Sequence, residues 1–206
     1  LSTIENTLRR LHQITAAQNI KFDQKMTNLL ELGCEKFGLS TGILASVENE
    51  NAKVKAAVSP GNTIEKGMIL PLHESLCSEA LDTNNPFFVQ DVANSGWSNF
   101  RCHTVNKIGA YIGLRVVVNE KIYGILNFSD NSPRKSQFTS TEKEILKLMV
   151  QWVEAELFQQ QVKTITLSTI EDEQEKERER IAADLHDSIG PLLSIIKRNI
   201  QSIQDK

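Results

Sequence analysis

The feature that most constrains this chain is the stretch from Ser140 to Ile189, 50 residues with no glycine or proline. Apolar residues recur along it at helical spacing: Ile145, Met149, Trp152, Val162, Ile165 and Ile170, then Ile181 and Leu185. At 1.5 Å per residue such a run makes one helix of about 75 Å. No globular domain covers a helix of that length, so a dimeric coiled coil projecting from a domain is expected. Thr139 or Ser140 is the candidate N-cap. Leu192, Ile196 and Ile203 continue the stripe beyond the run. Between the two apolar parts lies EDEQEKERER, residues 171–180, without one apolar side chain. Its simplest reading is a solvated helix held by Glu–Lys and Glu–Arg pairs at i,i+4. A second reading is a weakly packed section of coiled coil that can change register.

The residues before this helix have the variety of a folded domain, and 206 residues suffice for one core-bearing domain with an extension. Ile4, Leu8, Leu11 and Ile14 mark a first helix, and FDQKMTNLLELGCEKFG a second that stops at Gly38. The period then falls to two. GILASVEN and AKVKAAVS read as strands around the turn-like ENENA, followed by the loop SPGN and the short strand GMILPL. HESLCSEALDT returns to helix and PFFVQDV to strand. AYIGLRVVV and KIYGILNFSD, joined by Asn119-Glu120, form the clearest hairpin. Ile112, Leu114, Val116 and Val118 line one face of it, which predicts one well-buried side.

Composition narrows the partners. A net charge of -3 gives no support for nucleic acid or an anionic membrane. No apolar run approaches the roughly 18 to 20 residues of a membrane helix, and the start carries no signal-peptide pattern. Cys34, Cys77 and Cys102 are odd in number and far apart, which argues against a disulfide framework and for a reducing, cytoplasmic setting. No Cys-rich spacing supports an iron–sulfur cluster, and no metal site is expected. Since the chain opens on Leu1, it is expected to be a piece of something longer.

The long helix carries ERIAADLHDSIGPLL, residues 179–193. At 100° per residue, Ile181, Ile189, Leu192, Ile196 and Ile203 fall within about 40° of Leu185, and His186 lies about 100° away, on the shoulder of the stripe. An imidazole there is open to another protein. The adjacent Asp187 can hold its Nδ1–H and leave Nε2 free as a nucleophile. Phosphoryl transfer to histidine needs that arrangement. Pro191 cannot donate to the carbonyl of Asp187 and crowds it, so a bend at Gly190-Pro191 is expected beside the histidine.

This segment, from about 177 to 203, resembles the phosphoacceptor helix of sensor histidine kinases, in the subfamily written H-D-x-x-G-Q. The resemblance rests on Arg180, Ile181, Ala182, Leu185, the His186-Asp187 pair and Gly190. It implies that His186 accepts the phosphoryl group and Asp187 acts as polarising base. It also implies ATP and Mg2+ as cofactors of the full-length kinase, and a response regulator with a helix-turn-helix output domain as partner. The pattern departs at one place. Where that subfamily keeps the glutamine used in dephosphorylating the regulator, this chain has Pro191. The H-E-x-x-T/N-P class has a proline there but keeps Thr or Asn one place earlier, where this chain has Gly190. Weak phosphatase activity is therefore expected. Up to Lys206 the chain holds no N-box, glycine-rich lid or P-loop, so it is expected not to phosphorylate itself alone.

Residues from about 19 to 158 resemble a GAF domain, a PAS-like sensor module, through SLCSEALDTNNPFFVQDV, IGAYIGLRVVVNEKIYGILNFSD and FTSTEKEILKLMVQWV. That resemblance implies an α+β fold, with an antiparallel sheet of five or six strands, flanking helices, and end helices that join a dimer-forming bundle. The expected organisation is an N-terminal bundle helix at 1–18 and the sensor at 19–158. A coiled-coil linker follows at 159–180, and then the first helix of the dimerisation and phosphotransfer domain at 181–206. A homodimer through the N-terminal and coiled-coil helices is expected. Ligand candidates are His73 and Cys77, four residues apart on one expected helix, and Cys102-His103, which resembles a bilin attachment dipeptide. A domain with no ligand, used only for dimerisation and relay, stays open beside these. So do two other readings of the whole: a ligand-binding GAF protein without phosphotransfer, and a bilin photoreceptor.

Overall fold

A computed structural model describes the backbone of residues 3–17, 20–73 and 75–204, and the side chains of residues 5–17, 20–73 and 75–185. Two units divide between Phe158 and Gln159.

The first unit is built on a six-stranded antiparallel sheet. Helices α1 (Thr3–Ala16) and α2 (Phe22–Phe37) precede it. Then come β1 (Thr41–Glu48), β2 (Asn51–Val58), β3 (Ile69–Pro71), α3 (Leu76–Leu81), β4 (Phe87–Val89), α4 (Arg101–Thr104), β5 (Ala110–Val118), β6 (Lys121–Asp130) and α5, which begins at Ser140 and ends at Gln204. The strand order is β3-β2-β1-β6-β5-β4, with β1 and β6 at the centre. The class is α+β, as the sequence predicts.

Local chemistry sets the element ends. Gly38 closes α2 in the left-handed region at φ 61°, its N–H bonded to the Cys34 carbonyl. Thr139 caps α5 by a reciprocal pair: its hydroxyl accepts from the Glu142 N–H at 3.2 Å, and Glu142 accepts from the Thr139 N–H at 2.7 Å. Arg134 pairs with the same carboxylate. Burial opposes ionisation of Glu142, but the hydrogen bonds from Arg134 and Thr139 outweigh it and hold the carboxyl below its ordinary 4.5. The β5–β6 turn uses Asn119 and Glu120, both at positive φ (52° and 61°), as a two-residue turn with right-handed twist requires. A bulge follows at Val116/Val117, where Tyr123 is the unpaired extra residue.

One face of the sheet is sealed by α2 and the start of α5. Leu44, Ile112, Leu114, Val116, Leu126 and Phe128 meet Met26, Leu29, Leu30 and Phe37 from α2, and Leu146, Met149, Val150 and Val153 from α5. Leu11 of α1 joins this core. Contact is so close at Gly33 that any side chain there would overlap the Phe128 ring. Two carboxylates of α5 fix it to the layer. Glu154 accepts from the Val117 N–H at 2.7 Å, and Glu156 pairs with Lys25 of α2 at 3.4 Å.

The opposite face is buried too, which differs from the single buried side predicted for the hairpin. Ile43, Ala45, Ala52, Val54, Tyr111 and Ile125 meet Leu72, Leu76, Ala80, Val92 and Cys102 from the connecting segments. Strand alternation marks which residues share a face, but it does not reveal that distant loops cover the second one.

The second unit, 159–206, is helical through Gln204. Within it Val162, Ile165, Ile170, Ile181 and Leu185 are exposed. The charged stretch is laced by Arg178–Glu175, Arg180–Glu177 and Arg180–Asp184 ion pairs, mostly at i,i+3. The Glu–Arg pairs stand at i,i+3 rather than the i,i+4 expected, and only Arg180–Asp184 spans four residues.

Candidate functional site

A cavity of about 470 Å³ lies between the second sheet face and the segments that cover it. Strand register lays out its floor. Thr41 stands beside Ser129 and Ser129 beside Tyr111; in the adjacent row Ile43 stands beside Asn127 and Asn127 beside Gly113. Thr41, Ser129, Tyr111 and Asn127 therefore place polar groups on a floor otherwise made of Ile43, Ala45, Ala52 and Ile125. Ile64, Met68, Leu70 and Leu72 supply apolar wall.

Tyr111 and Asn127 are 1% and 4% exposed, so their polar groups need partners within the protein or the cavity. Both turn to one sulfur. The Tyr111 hydroxyl lies 3.5 Å from Cys77 Sγ and the Asn127 amide nitrogen 3.8 Å from it. Gly113 makes this possible, because a β-carbon there would stand 2.6 Å from the Tyr111 hydroxyl. Phe87 flanks the Tyr111 ring at 6.1 Å and is itself met edge-on by Trp97 at 5.2 Å. Burial pushes the Cys77 thiol up to about 11 and the Tyr111 phenol well above its usual value. Near neutral pH the cluster is uncharged.

The candidates read from sequence are only partly brought together. Cys77 and Cys102 both line the cavity, and burial raises both thiols. His73 also lines it and is exposed, but it does not share a helix with Cys77. Ser75 is the N-cap of α3, its hydroxyl accepting from the Ser78 N–H at 3.3 Å, so the helix starts after His73. The expected i,i+4 pair is corrected accordingly. His103 is not among the lining residues; its Nδ1 lies 2.8 Å from the carbonyl oxygen of Ile108, in the segment that follows α4. Cys34 sits at the edge of the helix-covered core, across the sheet from Cys77 and Cys102, with its thiol pushed to about 11 by burial. Among the described residues no group of three or more His, Cys, Asp and Glu stands ready for a metal ion.

Sequence reasoning missed Tyr111, Asn127 and Ser129 as site residues. Their signal was present: Asn127 and Ser129 share strand parity with the apolar Ile125, polar residues at inward positions. The side chains of His186, Asp187 and Pro191 lie outside the described ones; where a bend at Gly190-Pro191 is expected, the backbone is assigned as unbroken helix from His186 through Pro191.

The GAF domain family model matches residues 1–157. The chain belongs to the GAF family. A histidine kinase family model matches residues 177–206, so the GAF domain is followed by a histidine-kinase segment. No curated protein matches the chain. Among solved structures, the chain is similar to the phycoerythrobilin-bound GAF domain from a cyanobacterial phytochrome, at 14% identity and TM-score 0.64 over 78% of this chain and 98% of that one. It is similar to the GAF domain of a phosphoenolpyruvate-protein phosphotransferase from Coxiella burnetii, at 17% identity and TM-score 0.63 over 80% and 99%. Free methionine-R-sulfoxide reductase from Neisseria meningitidis, in complex with its substrate, matches at 16% identity and TM-score 0.60 over 78% and 94%. At these identities the likeness is one of fold. Within the GAF domain and the helix beyond it, no helix among the described residues is long and apolar enough to cross a membrane.

Proposed function

We propose that this chain is the sensing and dimerising portion of a two-component histidine kinase, in which the state of the GAF cavity is relayed along α5 to His186. The observation that carries the reading is the histidine kinase match over 177–206, which contains His186-Asp187 on the helix that also packs on the sensor sheet. The phosphoryl donor would be ATP with Mg2+, held by the kinase's ATP-binding domain. His186 attacks the γ-phosphorus through its unprotonated nitrogen, a P–N bond forming as the bond to ADP breaks. Asp187 holds the other ring nitrogen's proton and steadies the charge that develops on the imidazole. The phosphoryl group then passes to an aspartate of a response regulator.

Dimerisation is the second part of the reading. It is supported by the exposed apolar residues of 159–185, and histidine-kinase segments of this family dimerise. With Pro191 and Gly190 at the positions where phosphatase side chains stand in related kinases, the parent protein is expected to dephosphorylate its regulator slowly. The test is His186→Gln in the full-length kinase, followed with γ-labelled ATP and circular dichroism. Labelling should vanish with the helical signal unchanged. Persistent acid-labile label would overturn the assignment.

A further inference from the structure

The cavity's lining says what it can hold, an inference that rests on reading the cavity as the sensory site. We propose that it takes an uncharged, largely apolar small molecule with one amide- or carbonyl-bearing edge, seated on Tyr111 and Asn127.

Charge comes first. Among the described residues no aspartate or glutamate lines the cavity, and the two cation-forming side chains, His73 and Arg101, are exposed. On the strand floor an ammonium group would meet no counter-charge among the described residues, and a carboxylate would have to stay with Arg101 rather than reach that floor. Burying an unpaired ion costs several kcal/mol, more than a cavity of this size returns.

Unfinished hydrogen bonding comes second. A phenol O–H and a carboxamide N–H are strong donors, yet both converge on one thiol sulfur, a weak acceptor. A ligand carbonyl oxygen that reaches the two donors from the cavity side is a stronger acceptor than the sulfur and draws both hydrogen bonds to itself. Ser129, 7% exposed and on the same floor, offers a further neutral hydroxyl. The thiol between them stays protonated near neutral pH, so Tyr111, Cys77 and Asn127 together present a neutral recognition surface. Size agrees as well: about 470 Å³ lies within the usual range for small-molecule sites, and the lining presents more apolar than polar surface.

Three probes on one ring system test this: 2-naphthamide, 2-naphthoate and 2-naphthylmethylammonium. Each is titrated into the 206-residue chain by calorimetry, with melting shifts as a second readout. The amide should bind at least about tenfold more tightly than either ion. Tyr111→Phe and Asn127→Leu should each weaken the amide about five- to tenfold and leave the weak binding of the ions unchanged. Urea melts of both variants establish that they are folded. If either ion binds as tightly as the amide, or if the amide is indifferent to both substitutions, the ligand class is wrong while the cavity remains a binding site. If none of the three binds up to its solubility limit, the proposed ligand class falls, while the phosphotransfer reading is decided separately by the His186→Gln labelling.

Discussion

Leu126 and Phe128 of β6 meet a close-packed layer of helices, whereas Ile125, Asn127 and Ser129, one residue away on the same strand, border an open cavity. β5 is sorted in the same way, with Ile112 and Leu114 toward the helices and Tyr111 and Gly113 toward the cavity. The helix-side residues are large, aliphatic or aromatic, and leave no room even for a methyl group at Gly33. On the cavity side small and polar residues stand among aliphatic ones, and two buried donors share one poor acceptor. The backbone is common to both faces, so stability and recognition are separated by strand parity alone. Substitutions can therefore address either property without crossing to the other.

The largest expected effect comes from breaking the packed face. Phe128→Ala should cost about 3–5 kcal/mol in urea unfolding, since it removes a fully buried ring and leaves a void among fixed helices. Its neighbour Asn127→Leu should change stability by less than about 1 kcal/mol, because it deletes a poorly bonded amide beside space that already exists. Equal costs for the two would erase the distinction between the faces.

A smaller effect tests whether the helix layer is also held at its edge. Glu142→Gln should cost about 1 kcal/mol near neutral pH, through loss of the capping box and the Arg134 pair. The pH dependence has a definite sign. A carboxyl whose folded value is depressed contributes fully above its unfolded value near 4.5, and that contribution fades as pH falls through the lower folded value. The gap between wild type and variant in thermal melts should therefore narrow below about pH 4.5. A constant gap down to pH 3 would remove Glu142 from the account.

The smallest effect touches neither face. Glu120 occupies a left-handed position in the β5–β6 turn, φ 61°, where a β-carbon is unfavourable. Glu120→Gly should stabilise the domain by about 0.5–1 kcal/mol with probe binding unchanged. A shift in probe affinity would show that the turn reaches the cavity.

How much of this was legible depended on whether the deciding contact was local. The 140–189 run, the Gly38 stop, the Thr139 cap and the β5–β6 alternation are written in adjacent residues, and the fold follows them. α4 was not: four residues, Arg101–Thr104, are too few to show a period. Nor was the loss of His73 from α3, which turned on Ser75 capping in competition with one more helical turn. The cavity floor was the hardest. Asn127 announces itself as polar on an apolar strand, but its convergence with Cys77 and Tyr111 joins residues 34 and 50 positions away from Cys77. Spacing cannot foresee such a meeting.

The bond from the Val117 N–H to Glu154 has a mechanical consequence. A side chain on α5 sits roughly 5–6 Å from the helix axis. Rolling the helix by about 30° would sweep that carboxylate some 3 Å, and a hydrogen bond that starts at 2.7 Å does not survive the journey. Small rolls are thus resisted and larger ones cost the whole bond at once. Glu154 acts as a latch that favours the one rotational setting in which the strand and the helix are found.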